Sequence, residues 1–126
     1  MTGLQVLVVE DNELNMKLFR EVLESSGYRT LEAETGERAV ALTAEHRPDL
    51  VLMDIHLPDI DGVEALRRLR ADERTASVPV LALTAQAMEG DRERFIAAGF
   101  DGYLSKPVNI ADLLDVVRRH CEGGSR

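Results

Sequence analysis

Cysteine is nearly missing. Cys121 stands alone in 126 residues, so no internal disulfide can form, and a reducing compartment, most simply the cytoplasm, is expected. No apolar run has the length needed to cross a bilayer. The Leu4–Val9 stretch is too short for a signal peptide and runs straight into acids. Positive charge is in deficit: 15 Lys and Arg face 23 Asp and Glu, for a formal net charge of −8. Such a surface is a poor partner for phosphate backbones, so direct nucleic-acid binding is not expected. Internal repeats and low-complexity segments are also lacking. What remains is 44% hydrophobic and 30% charged. That suffices for one core and a solvated surface, in a length that suits one domain, residues 1–122, followed by a short tail at 123–126.

Short apolar runs at Leu4–Val9, Tyr28–Ala33, Leu50–Met53, Val80–Leu83 and Gly102–Leu104 have strand length. The first, third and fourth are apolar almost throughout, which is how strands read when both faces of a parallel sheet are covered. Amphipathic stretches lie between them. Leu14, Leu18, Val22 and Leu23 predict the inner face of a first helix, closed by Gly27. Ala39–Leu42 carry a second, stopped near Pro48, and Val63, Leu66 and Leu69 a third. A weaker fourth runs from about Met88 to Ala98, with Phe95 and Ile96 as its large apolar residues and Gly99 as its stop. Ile110, Leu113, Leu114 and Val117 form a fifth, with Asn109 as N-cap. Five βα units imply a parallel sheet wrapped by helices with right-handed crossovers, and sites in such sheets form where loops leave the carboxyl ends of the strands.

Glu10 and Asp11 follow the first strand, Asp54 ends the third, Thr84 and Ala85 end the fourth, and Lys106 and Pro107 follow the fifth. All meet one rim. Three carboxylates brought together repel one another unless neutralised. A hard divalent cation relieves this, and Mg2+ (with Mn2+ as its substitute) suits a few carboxylates, retained waters and a phosphate ligand. Lys106 adds a mobile positive charge and Thr84 a hydroxyl. A carboxylate can itself be the nucleophile toward a phosphoryl group, giving an acyl phosphate, with positioning and charge neutralisation supplying most of the rate.

The segments Val8-Val9-Glu10-Asp11-Asn12, Leu52 to Gly62 (LMDIHLPDIDG), Ala82-Leu83-Thr84-Ala85 and Tyr103-Leu104-Ser105-Lys106-Pro107 resemble the signature of response-regulator receiver domains. The resemblance spans the chain. It implies a three-layer α/β/α domain with a five-stranded parallel sheet in order 2-1-3-4-5, helices 1 and 5 on one face and 2, 3 and 4 on the other. It implies Asp54 as phosphoacceptor. Glu10, Asp11, Asp54 and the backbone carbonyl of His56 would hold Mg2+, and Lys106 would contact the phosphate. Lys106–Pro107 would be a cis peptide. Thr84 with Ala85 and Tyr103 would form the switch, and His56 and Gln86 would tune the phosphate lifetime. A histidine kinase or histidine phosphotransferase would donate the phosphoryl group, and a downstream protein would read the α4–β5–α5 face, with the domain a monomer or weak dimer. The residues 9–19 and 84–91 also resemble the single-domain DivK group of cell-cycle regulators. Receivers of hybrid histidine kinases share much of that wording, so a receiver excised from such a kinase, or a relay carrier, stays open.

Each of these residues has an ordinary reading when taken alone. Glu10-Asp11 could be a solvated loop or helix start, Asp54 a turn cap before Pro58, Thr84 a helix cap, Lys106 a surface lysine, Pro107 a helix-start proline and Gly62 a turn or helix-start residue. Their coincidence at four strand ends favours the site. Tyr103 is either a core-edge aromatic or the switch. His46 and His120 lack metal-ligand spacing and are expected at the surface. Arg67, Arg68, Arg70, Arg118 and Arg119 are expected on solvated helix faces, and Met16 and Met88 in packing. Three rivals are weaker. A flavin-type cofactor protein needs a first loop that welcomes phosphate, which Glu10-Asp11 would repel. A phosphatase with an aspartyl nucleophile commonly carries a second acid where His56 stands. A receiver-shaped scaffold without chemistry has no need of the acid cluster, threonine and lysine together.

Overall fold

The computed structural model of the chain describes residues 3–85 and 91–121. Ten elements alternate along it: β1 (Gln5–Val9), α1 (Glu13–Ser25), β2 (Arg29–Ala33), α2 (Gly36–His46), β3 (Leu50–Asp54), α3 (Gly62–Ala71), β4 (Val80–Thr84), α4 (Asp91–Ala98), β5 (Gly102–Ser105) and α5 (Ile110–Cys121). The strands pair in parallel in the order β2-β1-β3-β4-β5, the expected topology. Every residue of β3 and β4 is buried, as are Val6 to Val9 of β1. Those are the strands whose apolar runs did not alternate, and the two helical layers explain why. Ala39 and Leu42 of α2, Leu66 and Leu69 of α3 and Phe95 of α4 pack on one face. Met16, Phe19 and Leu23 of α1 and Leu113 and Val117 of α5 pack on the other. Each large apolar side chain so buried contributes roughly 1.5–3 kcal/mol.

The inner face of α1 differs from the sequence pattern. Leu14 is 80% exposed and Leu18 44%, while Met16, Phe19 and Leu23 are buried. Leu14 and Leu18 each lie two residues from Met16, about 200° around the helix, so the stripe through 16, 19 and 23 turns them outward. Gly27 closes α1 with φ +94° and Gly99 closes α4 with φ +112°, conformations that cost other residues a Cβ clash. Asn109 caps α5, its Oδ1 accepting the Asp112 N–H at 3.1 Å. The expected start of the fourth helix at Met88 lies outside the described residues. Of its apolar pair, Phe95 is buried and Ile96 is exposed. His46 is exposed; His120 is partly buried, its Nδ1 lying 2.9 Å from the Val116 carbonyl oxygen. Among the described residues no helix is long and apolar enough to cross a membrane.

Arg70 is not the solvated residue its neighbours suggested. One terminal nitrogen donates to the Ala76 and Val78 carbonyls at 3.0 and 2.7 Å, the other to the Gly99 carbonyl at 3.2 Å and the Asp101 carboxylate at 3.0 Å. The same Asp101 oxygen accepts the Val80 N–H at 2.8 Å. One side chain thus ties α3, the entry to β4 and the α4–β5 turn. Arg70→Met keeps the apolar stem and removes these charge-assisted bonds, so stability should fall by about 2 kcal/mol, seen as a lower urea midpoint at unchanged slope.

Arg67 and Arg68 do face solvent, but as partners of Glu64, at 2.6 and 2.9 Å. Arg67 foremost, then Arg68, holds the Glu64 carboxyl down to about 2. A depressed carboxyl contributes stability above its unfolded pKa and loses it as pH falls through the folded one. Carboxyl NMR should therefore place the Glu64 midpoint near pH 2 and move it upward in Arg67→Ala, with little change in stability because the pair is exposed.

Candidate functional site

The register of the sheet builds the site. Val9 is level with Met53, Met53 with Ala82 and Ala82 with Tyr103. One step further along the strands, Glu10 comes beside Asp54, which is level with Leu83. One step beyond that, Thr84 is level with Ser105, directly ahead of Lys106. Residues separated by half the chain therefore reach one rim because four parallel strands end in step. The Glu10 N–H donates to the Ala33 carbonyl at 3.0 Å and so keeps Glu10 at the sheet edge. Asp11 is exposed at the turn into α1. The Lys106 N–H donates to the Thr84 carbonyl at 2.7 Å, and the Lys106–Pro107 peptide is cis.

The loop after Asp54 folds back tightly. Ile55 donates to the Leu83 carbonyl at 3.0 Å, and Gly62 donates to the Ile55 carbonyl at 2.8 Å. A Cβ on residue 62 would lie 2.7 Å from the Asp54 carbonyl oxygen. Gly62 is thus required for close approach to the strand end, beyond the turn or helix start that the sequence suggests, and it is also the first residue of α3.

Carboxylate oxygens of Glu10, Asp11 and Asp54 all lie within 4.8 Å of one another. Glu10 is 1% exposed and Asp54 5%. The Lys106 ammonium bridges them, 2.8 Å from Glu10 Oε1 and 3.0 Å from Asp54 Oδ2. Asp54 Oδ1 accepts the His56 N–H at 3.0 Å, and Glu10 Oε2 the Asn12 N–H at 3.3 Å. Burial alone would lower the Lys106 pKa, but its bonds to Glu10 and Asp54 outweigh that and raise it. One ammonium against three carboxylates leaves negative charge in surplus at a mouth open to solvent. All the donors are hard oxygens. That set fits a divalent cation of the Mg2+ type.

Thr84 is buried at the end of β4, with Ala85 exposed beyond it. Tyr103 is half-buried, its ring tilted against Phe95 with centroids 6.0 Å apart. Gln86 lies outside the described residues. Among the described residues, Glu10, Asp11 and Asp54 form the one group of three or more potential metal-binding side chains; neither His46, His120 nor Cys121 joins such a group. Two features escaped the sequence. The close approach of Gly62 has no local signal beyond the glycine itself. Asp59 gave none either: its carboxylate binds backbone of α2 some twenty residues upstream.

A cluster of three carboxylates, two of them buried, bridged by a lysine at the ends of parallel strands in this order, is the arrangement of a receiver domain. Residues 6–118 match the family of response regulator receiver domains, and the chain belongs to that family. It is 46% identical over 115 residues to the polar-differentiation response regulator DivK of Brucella anthropi, and equally to that of Brucella abortus; the match covers 91% of this chain and 94% of each relative. Among solved structures it is similar to the receiver domain of a sensor histidine kinase from Pseudomonas aeruginosa PAO1, which has a magnesium ion coordinated in its active-site cleft. That match has a TM-score of 0.87 and 41% identity, covering 94% of this chain and 98% of that one. The chemotaxis protein CheY4 of Vibrio cholerae matches with a TM-score of 0.86 and 27% identity over 93% of this chain and 98% of that one. The chain is therefore a DivK-like receiver, a signalling module by family.

Proposed function

We propose that this is a single-domain response regulator, residues 1–122, in which Asp54 takes a phosphoryl group from a phosphohistidine donor. The observation that carries the reading is the Lys106 ammonium bonded at once to Asp54 and Glu10 inside a three-carboxylate cluster. Glu10, Asp11, Asp54 and the His56 carbonyl would hold Mg2+, or Mn2+ in its place. When bound, the ion neutralises charge on the phosphoryl oxygens. An Asp54 carboxylate oxygen attacks phosphorus. The phosphorus–nitrogen bond of the donor breaks, its electron pair stays on the imidazole, and that nitrogen takes up a proton. Asp54 is bonded through Oδ1 to the His56 N–H and through Oδ2 to Lys106, so the carboxylate is oriented before the donor arrives. Lys106, the Thr84 hydroxyl and the Ala85 N–H are the groups that receive the transferred phosphoryl oxygens. The chain is substrate and catalyst of one transfer rather than a turnover enzyme.

Thr84 and Tyr103 are the proposed switch pair, turning toward the phosphoryl group and inward respectively, and so shifting an existing equilibrium of the α4–β5–α5 face. The half-buried Tyr103 ring supports a side chain with room to move deeper. His56 and Gln86 set the phosphate lifetime. The donor, a histidine kinase or phosphotransferase, is proposed to lie along α1. Exposed Leu18 lines there a groove of about 360 Å³ with Asn15, Phe19, Lys106, Pro107 and Val108, and exposed Leu14 lies one turn before it on α1. Output runs through protein contact in the cytoplasm, with a kinase-modulating role of the cell-cycle type as in the DivK group, and without nucleic acid.

The 41% match to a sensor-kinase receiver favours a second reading, a carrier within a phosphorelay. Labelling tests the first claim: with Mg2+ and acetyl phosphate the chain should gain one hydroxylamine-sensitive phosphoryl group by intact mass, and a chain that stays unlabelled overturns it. Passing the labelled chain to a histidine phosphotransferase separates the readings, since rapid onward transfer marks the carrier.

A further inference from the structure

Helix α2 carries two caps where one is usual. The first is local: Thr35 precedes the helix, and its hydroxyl oxygen accepts the Arg38 N–H at 3.1 Å. Its carbonyl accepts the Ala39 N–H at 3.0 Å. The second comes from the loop that follows Asp54. Asp59 Oδ1 accepts the Gly36 N–H at 2.8 Å, and Oδ2 accepts the Glu37 N–H at 2.9 Å. These four N–H groups are the ones a helix start leaves without intrahelical carbonyl partners or with only the first. The neighbouring Ile60 closes the same junction: a Cβ on Gly36 would fall 2.5 Å from Ile60 Cγ1. Burial works against the Asp59 carboxylate, but its backbone bonds, led by that from Glu37, hold its pKa below the ordinary value.

A helix needs only its local cap to start. The bidentate cap from the distant loop therefore fixes the loop more than the helix. That loop runs from Ile55 to Asp61. Its inner end is tied by the Gly62 to Ile55 bond and by His56 N–H to Asp54. Asp59 is the tie at its outer end. We infer that Asp59 is a positioning residue for the cation site: by clamping the loop to the start of α2 it sets the place of the His56 carbonyl, the one main-chain oxygen among the proposed Mg2+ ligands. This rests on the reading of Glu10, Asp11, Asp54 and His56 as that site.

The test is Mg2+ titration of the metal-free chain, followed by amide NMR shifts in 0.15 M salt, where one exposed charge is screened over about 8 Å. Three proteins are compared: parent, Asp59→Ala and Thr35→Ala. Thr35→Ala weakens the same helix start without touching the loop. Asp59→Ala should weaken Mg2+ binding by about three- to tenfold, less than the roughly 10- to 100-fold that direct partners of metal ligands contribute, because Asp59 acts through the loop. Thr35→Ala should lower the melting temperature and leave Mg2+ affinity within about twofold of the parent, because it leaves the loop clamp in place. Equal affinity in Asp59→Ala and parent would overturn the inference while leaving the site intact. Equal weakening in both variants would also overturn it, because helix stability would then be the cause. A parent that binds no Mg2+ would overturn the site reading itself, and this inference with it.

Discussion

Asp54→Asn should carry no phosphoryl label after incubation with acetyl phosphate and Mg2+, a loss of more than about 100-fold against the parent. The reason is chemical rather than structural. The amide keeps an oxygen and nearly the same volume, so the His56 contact can persist and the fold should hold, but the carboxylate proposed as nucleophile is gone. The parent treated with EDTA should lose its label as well. There the proposed acceptor survives, and what would disappear is the cation proposed beside Glu10 and Asp11. Intact-mass spectrometry reads both results on the same samples. Full labelling of Asp54→Asn would place the acceptor elsewhere, and hydroxylamine would then tell another carboxylate, whose acyl phosphate yields to it, from the Thr84 hydroxyl, whose phosphate ester does not.

Lys106→Met should move two properties in opposite directions. Its ammonium lies between Glu10 and Asp54, so removing it deletes the donor proposed to meet the transferred group. Loss of one such preorganised donor costs about 100- to 1,000-fold in rate. The same deletion leaves a surplus of negative charge around the acid cluster, so Mg2+ should bind more tightly than in the parent. Titration of metal against slowed phosphorylation separates this from general damage, which would weaken both. Without metal, Lys106→Met should also be less stable, since Glu10 is almost fully buried and loses its counter-charge. The sign of the pH dependence follows from the raised Lys106 pKa. Its contribution is complete below the unfolded lysine value and is lost only as pH rises through the folded one. The stability gap between parent and variant should therefore persist through neutral pH and close in strong alkali.

Much of this was legible because parallel strands covered on both faces leave an unbroken apolar signature. Val6–Val9, Leu50–Met53 and Val80–Leu83 read as strands and are buried. Acids and threonine stand directly after those runs, and Lys106 just past the fifth, so the strand ends alone bring the candidate residues to one rim. Helices were read less well. On α1 the expected Leu23 is buried, but Met16 and Phe19 join it in place of Leu14 and Leu18; amphipathic period alone does not say which of two apolar stripes faces the sheet. Arg70 looked like its neighbours Arg67 and Arg68, because its acceptors lie up to 31 residues away. Asp59 was silent for the same reason. Local patterning carries elements, and long-range main-chain bonding has to be seen.

The grip of Arg70 on Gly99 and Asp101 has a mechanical meaning for α4. A rod of eight residues, about 12 Å long, is moored at its carboxyl end to α3 and the entry of β4. If it moves, it swings about that mooring, and displacement grows toward Asp91, the end nearest Thr84 in the chain. A small turn at the rim would then be felt as a tilt along the whole outer face, with Ile96 riding near the pivot and the amino-terminal turn sweeping the widest arc.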